Sequence, residues 1–248
     1  MNITYALYNC AMVVYGRKLM GLPLVLRACL EKSFGTIHTY KDGRICEAHF
    51  IYLDGNVNTG LMADFKNRWE DRMFICLTTV WQEALKATYP EMFCTRRYVM
   101  TFQLQNDKID KFLEITHLIP NEYHLRPFDE DAYILKPFGF GSNYKSYQDF
   151  RLNGSGYVVW YNNKIVSSAS SFLTLGNDVE LNLYTLPEHR RKGLGIACSA
   201  AMLSDCVEKH INMHWDAQNS ASRNMAEKLG YKLQYEYNAY SFFESKEP

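Results

Sequence analysis

Polar and apolar positions alternate most regularly in the second half of the chain. The run Gly156-Tyr157-Val158-Val159-Trp160-Tyr161 reads as a strand, Asn162-Asn163 as a tight turn, and residues 164–175 as a second strand. Gly176-Asn177-Asp178 makes another turn and residues 179–185 a third strand, so an antiparallel meander is predicted. Pro187, which has no N–H to donate, ends the ladder. The period then becomes helical over residues 196–209, with Ile196, Ala200, Leu203 and Val207 on one face. Residues 213–217 form a short strand after that helix, giving a strand–helix–strand unit whose strands pair in parallel. A last helix over residues 220–229 stops at Gly230, which suits a left-handed C-cap. Alternation of Tyr231, Leu233, Tyr235 and Tyr237 predicts a closing strand.

The first half is less regular. Across residues 64–86, Trp69, Met73, Cys76, Leu77, Val80, Trp81 and Leu85 fall near helical spacing, which predicts one long helix with a core-facing stripe. Asp54-Gly55-Asn56 lies between apolar runs and reads as the turn of a hairpin. No internal repeat and no low-complexity segment is visible, and nothing before about residue 120 carries recognisable chemistry.

Composition narrows the class of protein. With 248 residues and 47% hydrophobic content, the chain can build one elaborated domain or two smaller ones. Acidic and basic residues balance at 27 each, so no global field points to nucleic acid or an anionic membrane. The seven cysteines, Cys10, Cys29, Cys46, Cys76, Cys94, Cys198 and Cys206, are odd in number and contain no C-x-x-C pair. Reduced, mostly buried thiols in a cytoplasmic protein are therefore expected. The N-terminal run lacks a basic region ahead of its apolar residues, so no signal peptide is expected. No apolar run nears the roughly 20 residues that cross a bilayer. Asn2-Ile3-Thr4 and Asn153-Gly154-Ser155 match the glycosylation pattern by chance in such a compartment. The histidines show neither H-E-x-x-H nor Cys/His ligand spacing, and no metal is expected.

The candidate chemistry sits between the third meander strand and the helix after it. Arg190-x-x-Gly193-x-Gly195 places two glycines and three cations at a helix start, where backbone N–H groups can hold a pyrophosphate. Two glycines alone would serve any tight turn. Glu180, Asn182 and Tyr184 share one face of the strand, and a polar stripe there lines a cavity or finds partners. His189 reads as a turn-surface residue and Cys198 as a small core cysteine. The Gly139-Phe140-Gly141-Ser142-Asn143 segment reads as a loop able to cover a pocket.

Order and spacing over about residues 123–240 resemble the GNAT superfamily of N-acetyltransferases. The matching parts are the central strand, Arg190-x-x-Gly193-x-Gly195, the helix after it, and Asn219-x-x-Ser222 leading into Ala226-Glu227-Lys228-Leu229-Gly230-Tyr231. Thr185-Leu186-Pro187-Glu188 and Trp215-Asp216-Ala217 further resemble the branch of zwittermicin A resistance-type enzymes, whose members carry an extra N-terminal domain.

The resemblance implies an α/β (α+β) fold with a mixed, splayed central sheet flanked by helices. Residues 123–248 would form the acetyl-CoA-binding domain, and residues 1–122 an N-terminal α/β domain without an assigned role. It implies acetyl-CoA as donor, with Arg190, Arg191, Lys192, Gly193, Leu194, Gly195 and Ile196 around its phosphates. The backbone of Leu183, Tyr184 and Thr185 would pair with pantetheine, the Leu183 N–H would face the thioester oxygen, and Asn219 and Ser222 would reach the same arm.

Acid–base chemistry is where the match departs. The superfamily's usual base positions fall on apolar Val179 and Leu181, so Glu180 becomes the base only if a bulge shifts it. The usual acidic tyrosine position holds Ala226, leaving Tyr184, Tyr231 or water to protonate the thiolate. The expected reaction is acetylation of a primary amine on a small molecule, with no nucleic-acid or membrane partner and a homodimer allowed for. Two alternatives stay open here. One is a catalytically weak CoA-binding module for regulation or interaction; the other is transfer to a protein N-terminus or a tRNA-linked substrate.

Overall fold

A computed structural model describes residues 22–102 and 109–244. Cys10 and the Asn2-Ile3-Thr4 pattern lie outside them. The first described elements are α1 (Leu24–Leu30), β1 (Thr36–Tyr40), β2 (Gly43–Glu47), β3 (Ile51–Gly55), α2 (Thr59–Met62) and α3 (Phe65–Trp69). Next come β4 (Met73–Cys76), α4 (Thr79–Thr88), β5 (Phe93–Thr101), α5 (Ile109–Thr116) and β6 (His124–Pro127). They are followed by α6 (Glu130–Leu135), α7 (Tyr147–Asn153), β7 (Gly156–Tyr161), β8 (Lys164–Leu175) and β9 (Asp178–Thr185). The chain closes with α8 (Leu194–Glu208), β10 (Asn212–Ala217), α9 (Ser220–Lys228) and β11 (Lys232–Ser241).

These elements fall into two compact units. Among the described residues, one holds 22–98 and the return segment 235–244; the other holds 99–102 and 109–234. Helix α5 packs along α8 within the second unit.

In the first unit β1, β2 and β3 form an antiparallel meander, β4 lies parallel to β3, and β11 runs antiparallel to β4 through Ala239–Ser241. The aromatic ring of Phe65 stacks on Phe74 at 5.3 Å and on Trp81 at 5.9 Å, and all three are fully buried. Arg44 and Asp54 make an ion pair beneath this layer, each side chain about 95% buried.

Residues 64–86 are not one helix. Met73–Cys76 is a buried strand between two helices, because a short continuous apolar run fits a buried strand as well as a helix and periodicity cannot separate them. Thr78 then caps α4, its side-chain oxygen accepting from the Trp81 N–H. Nor does Asp54-Gly55-Asn56 close a hairpin. Gly55 has φ +77 and ends β3, whose next partner is the parallel β4.

In the second unit the strand order is β10-β9-β8-β7-β6, antiparallel except for the parallel pair β9–β10. Asn162 and Asn163 both have positive φ, as the two-residue turn between β7 and β8 requires. A cluster of Phe128, Tyr133, Phe140, Tyr144, Phe150 and Val158 fills the space between α6, α7 and the sheet. Helix α8 is buried on nearly all sides, not along one stripe, because the sheet covers one face and α5 another.

Candidate functional site

The strands β9 and β10 stay paired for only three positions: Asp178 with Asn212, Val179 with Met213, and Glu180 with His214. Beyond Glu180 the register ends, while β9 remains paired with β8 as far as Thr185. Residues 181–185, roughly 17 Å of strand, therefore present one backbone edge without a β10 partner. The parallel pair in the first unit does not open in this way. There the Leu77 N–H donates to the Leu53 carbonyl at 2.8 Å and the Thr78 hydroxyl to the Gly55 carbonyl at 3.4 Å.

A bulge is present, but on the neighbouring strand. Ser171 faces Leu181 and Leu173 faces Glu180, so Phe172 is the extra residue and β9 itself keeps its register. Glu180 stays at its own strand position, 6% exposed.

At the far end of the open edge, a 3-10 turn over Pro187–His189 leads into α8. Gly193 holds the N-cap with φ +78 and makes no side-chain cap. A Cβ there would meet nothing within 4 Å, so the backbone conformation is what requires glycine. The first intrahelical bond runs from the Ala197 N–H to the Gly193 carbonyl, which leaves the N–H groups of Leu194, Gly195 and Ile196 without helical acceptors. They carry the positive end of the 15-residue helix. Gly195 has a different reason. A Cβ would come within 3.2 Å of the Thr185 hydroxyl and 3.6 Å of Leu183, so glycine lets α8 approach β9 closely.

The cations of the turn are partly engaged. Arg190 donates from Nε to the Thr185 carbonyl at 3.0 Å and stands 5.6 Å over the Tyr184 ring, tying the strand end to the turn. Lys192 donates to the Tyr123 hydroxyl at 2.7 Å, and that bond lifts its pKa and keeps it charged. His189 is not a surface residue of the turn. It is half-buried, bonds the same hydroxyl at 3.0 Å through Nδ1, and packs on Tyr161. Arg191 is exposed, with φ +63.

On the other side of the opening, Asn219 caps α9 by accepting from the Ser222 N–H at 2.9 Å. The Ser222 oxygen accepts from Trp215 Nε1 at 3.0 Å and keeps its own proton to donate. Ala226 is fully buried. Tyr231, which follows α9, donates to the Met213 carbonyl at 3.0 Å. Burial first, then the nearby Cys206 and Glu180, pushes its hydroxyl well above the ordinary tyrosine pKa. Tyr184 is 37% exposed and packs on Phe138 at 4.7 Å. Phe138 belongs to a turn with φ +59, and its neighbour Phe140 is buried, so the 139–143 segment is anchored at its start. Burial pushes the Cys198 thiol to about 12, which removes it as a nucleophile at neutral pH.

Two residues at this site escaped the sequence reading. His214 Nε2 lies 3.0 Å from Asp178 Oδ1, and His214 is the register partner of Glu180. The signal was faint: His214 and Asp216 alternate with Met213, Trp215 and Ala217 along β10.

A model of the GNAT acetyltransferases matches residues 23–240, from α1 to the final strand. The chain belongs to the GNAT acetyltransferase family. That GNAT assignment covers both units. An uncharacterized N-acetyltransferase of Bacillus subtilis, YdfB, is 32% identical over 137 residues. That match covers 52% of this chain and 52% of the relative, about half the length of each. Among solved structures, a GCN5-related N-acetyltransferase-like protein from Streptococcus suis superposes with TM-score 0.81 at 21% identity, covering 97% of this chain and 99% of that one. A GCN5-related N-acetyltransferase from Kribbella flavida gives TM-score 0.53 at 10% identity over 94% and 95%. These two share the fold. Among the described residues no cluster of three or more His, Cys, Asp or Glu could hold a metal, and no helix is long and apolar enough to cross a membrane.

Proposed function

We propose that this GNAT protein transfers an acetyl group from acetyl-CoA to a primary amine of a small molecule by direct attack. The observation that carries the reading is the opening between β9 and β10, with an uncapped helix start at one end and a buried carboxylate at the other. Diphosphate would sit on the N–H groups of Gly193, Leu194, Gly195 and Ile196, with Arg191 beside it. Arg190 and Lys192 act differently from a freely placed cation: they shape the turn through Thr185, Tyr184 and Tyr123 and add charge from behind.

The pantetheine arm would extend along the open edge of Leu183, Tyr184 and Thr185 as an added strand. Between its phosphate ester and its sulfur it spans about four residues of extended chain. Starting beside Thr185, it ends near Leu181, one residue from the Glu180–His214 pair. Asn219 and Ser222 flank this path from the start of α9, Ser222 with a proton to donate. Along β9, Tyr184 lies about 10 Å from Leu181, which suits a wall of the channel better than a proton donor to sulfur. Glu180 places its carboxyl group at the vertex, where an amine must give up a proton as it attacks.

The branch of zwittermicin A resistance-type enzymes is our finer assignment, resting on Thr185-Leu186-Pro187-Glu188 and Trp215-Asp216-Ala217. The acceptor is a cytoplasmic small molecule in this reading, and residues 1–122 make an N-terminal domain without an assigned role. The test is release of CoA thiol across a panel of primary amines, with mass detection of the acetamide. Acetamide formation that depends on both acetyl-CoA and an amine supports the reading. A protein that binds acetyl-CoA and turns over no amine in the panel contradicts it and favours the regulatory module.

A further inference from the structure

We infer that His214 is the group that takes the proton from the attacking amine and returns it to the leaving thiolate, held in place by Asp178. The inference rests on the acetyl-CoA reading above. Three observations support it. His214 sits at the last register pair before β9 and β10 part, where the pantetheine arm runs out. Its Nε2 is 3.0 Å from Asp178 Oδ1, a contact that fixes the ring with Nε2–H donating and leaves the Nδ1 lone pair as the basic atom. His214 is half-buried whereas Glu180 beside it is buried, so the ring is the more accessible of the two.

The arrangement also accounts for the alanine at position 226, where no tyrosine stands ready to protonate sulfur. The amine nitrogen attacks the thioester carbon and forms the C–N bond. Its proton passes to His214 Nδ1, and the resulting imidazolium faces the Asp178 carboxylate, with Glu180 alongside on β9. When the tetrahedral species collapses, the C–S bond breaks and the thiolate leaves with the bonding pair. The ring then gives up the same proton, so acetamide and CoA thiol are the only products and the histidine ends neutral. Oxyanion stabilisation falls to the backbone of β9, which leaves the ring free for proton transfer.

The test needs no knowledge of the acceptor. Bromoacetyl-CoA places an alkylating carbon where the acetyl group would lie. The Nδ1 lone pair displaces bromide, forming a C–N bond as the C–Br bond breaks. We expect one adduct per chain on the peptide carrying His214, suppressed by excess acetyl-CoA. His214→Gln should lose that adduct while its melting temperature still rises with acetyl-CoA as in the wild type. Asp178→Asn should slow labelling at least tenfold without changing donor affinity. An adduct on Glu180, Cys206 or another residue overturns the assignment, as does absence of any adduct in a protein that acetyl-CoA stabilises. If acetyl-CoA fails to stabilise the wild type, the donor reading itself falls and this inference with it. Donor binding thus separates the two failures.

Discussion

Replacing Gly193 tests the donor turn most sharply, because its cost can be placed in only two ways. Gly193 has φ +78, and a Cβ there would touch nothing within 4 Å. The penalty for Gly193→Ala is therefore conformational, about 1–2 kcal/mol for an L-residue in the left-handed region. If the turn keeps its shape, stability falls by that amount, which for a protein of this size lowers the melting temperature by about 2–8 °C. If the turn relaxes instead, stability is kept and the N–H groups of Leu194 to Ile196 lose alignment. Donor affinity then falls by about 5- to 30-fold, the same free energy read as a binding constant. Gly193→Asn should cost less than Gly193→Ala, since asparagine visits the left-handed region more readily, and Gly193→Val should cost most. Denaturant unfolding and calorimetric titration with acetyl-CoA measure both halves. The reasoning is refuted if alanine changes neither quantity, or if asparagine proves worse than alanine.

Other perturbations separate the parts of the site and the fold. Glu180→Gln should reduce turnover more than donor affinity; unchanged turnover and pH profile would remove Glu180 from the proton chemistry. Tyr123→Phe removes the hydroxyl that both Lys192 and His189 contact, and should raise the acetyl-CoA dissociation constant several-fold with little change in kcat. Alkaline stability should fall steeply. Burial raises Tyr231 well above the ordinary tyrosine value, and puts Tyr40, Tyr240 and the Cys76, Cys198 and Cys206 thiols near 12. Their contribution is full below the unfolded values of 9.0 for thiols and 10.0 for tyrosines, and is lost as pH climbs through the folded ones. Urea midpoints measured between pH 8 and 12 should show the decline, and a flat profile would contradict these burial assignments. Toward a thiol reagent at neutral pH, the exposed Cys94 should react before the buried Cys198 and Cys206 in the folded protein.

The second half of the chain was legible because its strands alternate and its turns carry their own chemistry. Asn162-Asn163, Gly176 and Gly230 each mark a positive-φ position that the fold uses. The segment around Met73–Cys76 was not legible, since a buried strand between two short helices presents apolar residues at spacings that also satisfy a helix. The glycine turn could be found by spacing, but not the reason for each glycine: Gly193 answers to backbone conformation and Gly195 to the approach of α8 to β9. Nor could the positions of the cations be read. Whether Arg190 points at solvent or at the Thr185 carbonyl depends on packing around Tyr184. The His214–Asp178 pair was invisible for a deeper reason. It joins residues 36 apart through a parallel register that exists only after α8 has returned the chain to the sheet.

The central claim is that the opening between β9 and β10 receives acetyl-CoA, and calorimetric titration of the whole chain with acetyl-CoA addresses it directly. One donor per chain is predicted, with dephospho-CoA and CoA competing for the same site. At a hundredfold excess over the dissociation constant, the complex should gain about 2.7 kcal/mol in unfolding free energy. Absence of binding heat together with an unchanged melting temperature at saturating donor would contradict the account.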